Sequence, residues 1–233
     1  MNMDKIEELE QKLQRYKSIF LRYFADETIE EFLEGGTLQN LSGQNIEVSM
    51  LFFDLRGSTA IAEKLEPIVF SEFLSELFTD VMDLIYGNGG SVNKMIGDGI
   101  LATFGCPSSK GDDTYQCVKT ALQIREYLHT FNDVRPDYLQ NDIRCGVGIA
   151  TGQVFAGSIG SIRRMEYTVL GDAVNVAARL ETLTKELKHD ILIDGNTYNK
   201  LVNRIGVEKA MLNRVKGKTE TLEIFKLLRL LEE

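Results

Sequence analysis

The chain has 233 residues, 43% hydrophobic, 26% charged and 9% aromatic, with 20 Gly and 3 Pro, proportions that exclude a disordered, collagenous or low-complexity protein. Its longest apolar run, Met50-Leu51-Phe52-Phe53, is far short of the roughly 18–20 residues that cross a bilayer, and no signal-peptide pattern opens it, so neither a membrane span nor a secretory leader is expected. Lys plus Arg number 26 against 35 Asp plus Glu, a formal charge of −9, which is the wrong sign for a nucleic-acid binder; any phosphorylated ligand must be met by local charges. The three cysteines, Cys106, Cys117 and Cys145, are odd in number and lack CxxC spacing, which predicts small buried thiols in a reducing cytoplasm and no zinc site.

At the amino terminus Ile6, Leu9, Leu13, Tyr16, Phe20 and Tyr23 alternate spacings of three and four, an apolar seam along one side of a helix. Residues 1–25 read either as a helix packed on its own domain or, the preferred reading, as a parallel two-stranded coiled coil that dimerises the chain. Asp26-Glu27-Thr28 is a helix start, Ile29, Phe32 and Leu33 follow, and Gly35-Gly36 is a stop, so 26–45 reads as a joint.

One domain is expected over 46–233. Residues 46–53 alternate and then become continuously apolar, as a central strand does, ending at Asp54. Helical periodicity runs over 58–86, is interrupted at Pro67 and closes in Gly87-Asn88-Gly89-Gly90. Strands over 91–96 and 100–104 flank Gly97-Asp98-Gly99, where Asp-Gly supplies the positive φ angles of a tight hairpin turn. A helix over 112–131 and a strand over 143–151 complete the order β-α-β-β-α-β. This predicts an α+β fold with a ferredoxin-like core, an antiparallel sheet carrying its helices on one face. A hairpin over 154–169, a helix over 172–187 and strands near 191–193 and 222–227 are additions after the core.

The chemistry begins with Asp54 and Asp98. Either alone reads as a helix cap or as turn chemistry. On this topology the first strand neighbours the hairpin, so the two carboxylates converge at one sheet edge, where hard cations such as Mg²⁺ bind through one or two carboxylates plus substrate phosphates. Leu55-Arg56-Gly57-Ser58-Thr59, leading from strand to helix, offers backbone N–H groups for phosphates. Lys94 stands on a strand expected to be largely buried, where it must either snorkel or meet a ligand acceptor. If Asp172 opens a helix, Asn175 and Arg179 share a face, an arrangement suited to a sugar hydroxyl and a phosphate, although a surface ion pair is the plain reading of Arg179. His129 and His189 are both assigned to solvated surface.

Phe53-Asp54-Leu55-Arg56-Gly57-Ser58-Thr59, Asn93-Lys94-Met95-Ile96-Gly97-Asp98-Gly99 and Tyr167 through Arg179, with Val215-Lys216-Gly217-Lys218 near the end, together resemble the catalytic domain of class III nucleotidyl cyclases over about residues 46–228. The resemblance implies an adenylate cyclase that makes 3′,5′-cyclic AMP and pyrophosphate from ATP with two divalent cations, Mg²⁺ or Mn²⁺, on Asp54 and Asp98. It further implies that Lys94 and Thr168 select the purine, Asn175 orients the ribose, Arg179 stabilises the α-phosphate and Lys216 holds the terminal phosphates. Lys with Thr resembles the adenylate pattern, since guanylate cyclases usually carry Glu and Cys; a guanylate cyclase is the first alternative and a silent, dimerising cyclase-like module the second. Sites in the family form between two domains, so a homodimer with two composite sites is expected. The chain then reads as an output module with a transducing stub, a fragment of a longer protein with an upstream sensor. Arg144 falls off the position at which some members contact phosphate, and no role is assigned to it.

Overall fold

The computed structural model describes residues 9–16, 43–161, 164–210 and 222–231. The chain divides into two compact units, residues 1–43 with 157–167, and residues 44–156 with 168–233. In the first, residues 9–16 are helical, and the seam residues Leu9, Leu13 and Tyr16 are 54%, 66% and 60% exposed. Ile6, Phe20, Tyr23, the joint up to residue 42 and Lys216 lie outside the described residues.

From residue 44 onward the elements are β1 (Gln44–Leu55), followed by α1 (Ser58–Ala62), α2 (Pro67–Gly87), β2 (Ser91–Ile96), β3 (Gly99–Phe104) and α3 (Asp113–Val134). Then come β4 (Cys145–Ser161), β5 (Arg164–Leu170), α4 (Asp172–Glu186), β6 (Ile191–Asp194), α5 (Gly195–Lys200), β7 (Ile205–Lys209) and β8 (Ile224–Leu230). One sheet runs in the order β2-β3-β1-β4-β6-β8-β7, with β5 on β4. β1 is antiparallel to β3 and β4, β4 is parallel to β6, and β8 is antiparallel to β6 and β7. The first four strands have the expected ferredoxin-like order.

β1 is continuously apolar because both of its faces are covered. On one face Leu51, Phe53 and Leu55 join Phe73, Leu77, Val81 and Ile85 of α2 and Val118, Ala121, Ile124 and Leu128 of α3 in one core. The four α2 residues recur every fourth position, so a single stripe of that helix is buried. Each such side chain contributes about 1.5–3 kcal/mol relative to exposure.

The core helices α2 and α3 share one face, as the sequence suggested, and the added helix lies elsewhere. α4 packs on the opposite face, against Gly146, Gly148 and Gly152 of β4. These alternate positions point the same way from the strand, and a Cβ on Gly148 would collide with the Ala177 carbonyl oxygen and the Glu181 amide nitrogen. Side-chain-free positions therefore let the α4 backbone rest directly on the sheet, burying Val176, Ala177 and Leu180 to 4% exposure or less.

Three further differences have local causes. β2 is an edge strand and not a largely buried one: Met95 is 59% and Ile96 47% exposed. β4 runs through to Ser161 without the break expected near residue 152. Between β6 and β8 the structure adds α5, capped by Asp194, whose carboxylate accepts from the Thr197 N–H at 2.9 Å, and β7; both are too short to show a periodic signal. Pro67 separates two helices as its position implied.

Candidate active site

The end of β1 and the β2–β3 turn meet through main-chain geometry. Asp54 is paired with Gly99 on one side and Gly146 on the other, and the Leu55 N–H donates to the Asp98 carbonyl at 3.4 Å. Gly99 is required here, since a Cβ on it would lie 2.8 Å from the Phe53 carbonyl oxygen and 3.4 Å from Asp54 Oδ1. Asp54 and Asp98 are thus neighbours at one edge, as predicted. Burial raises the Asp54 carboxyl above its ordinary range, the Asp98 charge raises it further, and Lys185 opposes both. The Lys185 Nζ lies 3.6 Å from Asp54 Oδ2.

A carboxylate whose charge is destabilised by burial and by a second carboxylate beside it fits a hard divalent cation. Among the described residues no group of three or more His, Cys, Asp or Glu side chains is arranged to hold a metal. Asp54 and Asp98 therefore fit the binding mode in which one or two carboxylates share the ion with substrate phosphates and water.

Lys94 follows a β-bulge at Asn93 and pairs with Leu101, which pairs in turn with Phe52. Lys94 accordingly shares a sheet face with Phe52 and Asp54, half-buried at the edge. Thr168, 7% exposed, donates to Asn93 Oδ1 at 3.4 Å, bringing the end of β5 beside the bulge that precedes Lys94. Asn175 is exposed and Arg179 half-buried, one turn apart on the amino-terminal half of α4. Lys185, at the other end of that helix, lies about 9 Å further along the axis than Arg179.

Arg56 departs from expectation. Its guanidinium donates to the His189 carbonyl at 2.9 Å and pairs with Asp190 at 3.3 Å; Arg144 pairs with the same carboxylate at 3.2 Å. The side chain is committed to the α4–β6 connection, and the main-chain N–H groups of Leu55 and Arg56 donate to the Asp98 and Arg144 carbonyls at 3.4 and 2.8 Å. Gly57 makes the turn at φ +73°, where other residues are strained. His189 is not merely solvated: its Nε2 lies 2.9 Å from the Leu227 carbonyl. His129 is exposed as expected.

Two residues of the site escaped the sequence reading, Lys185 and Glu181. Glu181 is 6% exposed, its Oε1 has no hydrogen-bond partner, and burial together with Asp54 raises its carboxyl. The available signal was their i, i+4 spacing behind Arg179, which reads as an ordinary surface pair until α4 is laid over β4. A cavity of about 600 Å³ at the other end of β1, lined among others by Glu47, Ser49, Thr114, Thr151 and Lys200, contains none of the predicted site residues.

Comparison with known proteins agrees with this geometry. Residues 42–228 match the family model of the adenylate and guanylate cyclase catalytic domain. An adenylate cyclase of Anabaena cylindrica is 34% identical over 198 residues, covering 78% of this chain and 38% of that enzyme. The adenylyl cyclase CyaB of P. aeruginosa superposes with a TM-score of 0.74 at 26% identity, covering 80% of this chain and 96% of that one. A guanylyl cyclase of known crystal structure gives 0.74 at 30% identity, covering 82% and 96%. The chain belongs to the adenylate and guanylate cyclase catalytic domain family, the class III nucleotidyl cyclases. It spans less than two-fifths of the length of the Anabaena relative, and among the described residues no helix is long and apolar enough to cross a membrane.

Proposed function

We propose that the chain is the catalytic module of an adenylate cyclase, converting ATP to 3′,5′-cyclic AMP and pyrophosphate. The observation that carries this reading is the convergence of Asp54 and the Asp98 turn at one sheet edge. The ribose 3′ oxygen attacks the α-phosphorus, the bond to the β-phosphate oxygen breaks in line, and the hydroxyl proton passes to water. Divalent cations held by Asp54 and Asp98 would acidify the attacking hydroxyl and offset phosphate charge. The main chain from Gly57 to Thr59 seats phosphates, Lys94 and Thr168 hold the adenine edge, and Asn175 orients the ribose. Arg179 meets the charge that grows on the α-phosphate, the kind of contact whose removal costs several kcal/mol elsewhere. Lys216 takes the terminal phosphates.

In this reading Asp54 and Asp98 act with Lys94, Thr168, Asn175 and Arg179 of a second copy, so a two-fold dimer carries two sites. The exposed seam of Leu9, Leu13 and Tyr16 supports a coiled coil over 1–25 that keeps two domains over 46–233 at high effective concentration, through the joint over 26–45. The exposed apolar edge at Met95 and Ile96 supports the same pairing. A sensor upstream of the coil and a cytoplasmic setting complete the reading.

The test is product analysis with purified protein and Mn²⁺, offering ATP and GTP separately, with Asp54→Asn beside it. Cyclic AMP from ATP, little product from GTP and loss in the variant are expected. Comparable cyclic GMP would favour the guanylate reading, which the 30% identity to a guanylyl cyclase keeps in view. No product from a verified dimer would favour a silent module.

A further inference from the structure

We infer that Lys185 is a resident counter-cation of the metal site, occupying the Asp54 carboxylate until a divalent ion displaces it. The inference rests on the reading of Asp54 and Asp98 as metal ligands and adds an internal competitor to it. Asp54 has a carboxylate neighbour on each side of it: Asp98 at the sheet edge, and Glu181 on α4, whose buried Oε1 has no hydrogen-bond partner. Burial and the neighbouring negative charge make a bound cation favourable at Asp54. The neighbouring Arg56 directs its terminal nitrogens to Asp190 and the His189 carbonyl, and its charge acts on Glu181. Lys185 is the cation in ion-pair contact with Asp54, at 3.6 Å from Oδ2.

Its position makes it replaceable. The Lys185 side chain is 55% exposed, a long flexible stem with its ammonium at the solvent boundary, so withdrawal leaves no buried charge behind. α4 itself is pinned to the glycine positions of β4, which fixes the base of the stem within reach of Asp54. Glu181 stands one helical turn before Lys185, the spacing and direction at which Glu and Lys pair favourably on a helix, and gives the displaced ammonium a second partner. A metal ion and the ammonium thus compete for one carboxylate, and the competition lowers the apparent affinity for metal by what an exposed ion pair contributes. From the usual strength of such pairs that is about two- to five-fold.

The experiment is a nucleotide-free Mn²⁺ titration of the full chain, with free Mn²⁺ counted by its electron paramagnetic resonance signal. Wild type, Lys185→Met, Lys185→Arg and Asp54→Asn are compared. Lys185→Met keeps the stem and removes the charge; it should bind Mn²⁺ about two- to five-fold more tightly, and Lys185→Arg should resemble wild type. Unchanged or weaker binding in Lys185→Met overturns the inference. Asp54→Asn separates the two layers, since wild-type Mn²⁺ affinity in that variant would overturn the metal-site reading itself. Thermal unfolding supplies a second readout: Mn²⁺ should raise the midpoint of Lys185→Met more than that of wild type, and an equal or smaller rise contradicts the competition.

Discussion

At the scale of single residues, the site is made of side chains whose surroundings work against them. Asp54 is raised by burial and by Asp98, Glu181 by burial and by Asp54, and a fold that keeps such a group of charges gains function rather than stability from it. Asp54 and Asp98 were legible because each ends a strong local signal, an apolar strand in one case and an Asp-Gly turn in the other. Glu181 and Lys185 were not, because their meaning depends on a helix laid across a strand some thirty-five residues earlier in the chain. The proposed base-selecting pair, Lys94 and Thr168, makes its own prediction. Lys94→Glu with Thr168→Cys should lower turnover of ATP by at least about 100-fold and raise that of GTP, since a site built around particular hydrogen-bonding edges rejects the wrong partner strongly; unchanged preference for ATP in product assays would remove Lys94 and Thr168 from base recognition. The cysteines predict an absence of chemistry. Cys106, Cys117 and Cys145 are at most 7% exposed, and burial, the largest cause, pushes the Cys145 thiol up to about 12. The native protein should resist a thiol-specific chromogenic reagent at neutral pH and react at all three cysteines only in denaturant; fast labelling without denaturant would contradict that burial.

At the scale of elements, α4 links the parts. Its contact with the sheet is made possible by glycines at alternate positions of β4, and it bears Asn175 in its first turn, Arg179 at its middle and Lys185 at its far end. A shift of this helix moves all three together. Gly148→Ala should therefore destabilise the protein by at least about 3 kcal/mol, as overpacking against an immovable backbone does. Gly57→Ala meets nothing within 4 Å but must adopt φ +73°, and should cost only about 1 kcal/mol. Chemical denaturation of the two variants measures the difference, and similar costs would mean that α4 yields more readily than its contacts imply. The longer elements of the core were legible in outline: the every-fourth-residue stripe of α2, the break at Pro67 and the β2–β3 hairpin all stand where the pattern put them. The placement of α4 on the far face was not, because Gly146, Gly148 and Gly152 carry no hydrophobic period to read, and α5 and β7 fall below the length at which periodicity speaks.

At the scale of the whole molecule, the proposed function needs more than one copy of the chain. The carboxylates proposed to hold metal stand at the end of β1 and in the β2–β3 turn, while Arg179 lies about 9 Å back along α4 from the lysine that pairs with Asp54. The seam at residues 9–16 is exposed in the single chain, and the edge strand β2 presents Met95 and Ile96 outward. The alternation of threes and fours made the seam visible in the sequence. The measurement that tests the shared site most directly is complementation. Asp54→Asn and Arg179→Ala should each be inactive alone as homodimers, because each lacks one half of both sites. Mixed in equal amounts and allowed to exchange subunits, they should form heterodimers with one intact site apiece, recovering about a quarter of wild-type cyclase activity under random pairing. Recovery of that size is the predicted result; a mixture as inactive as its components, with exchange verified, would contradict a site shared between two copies.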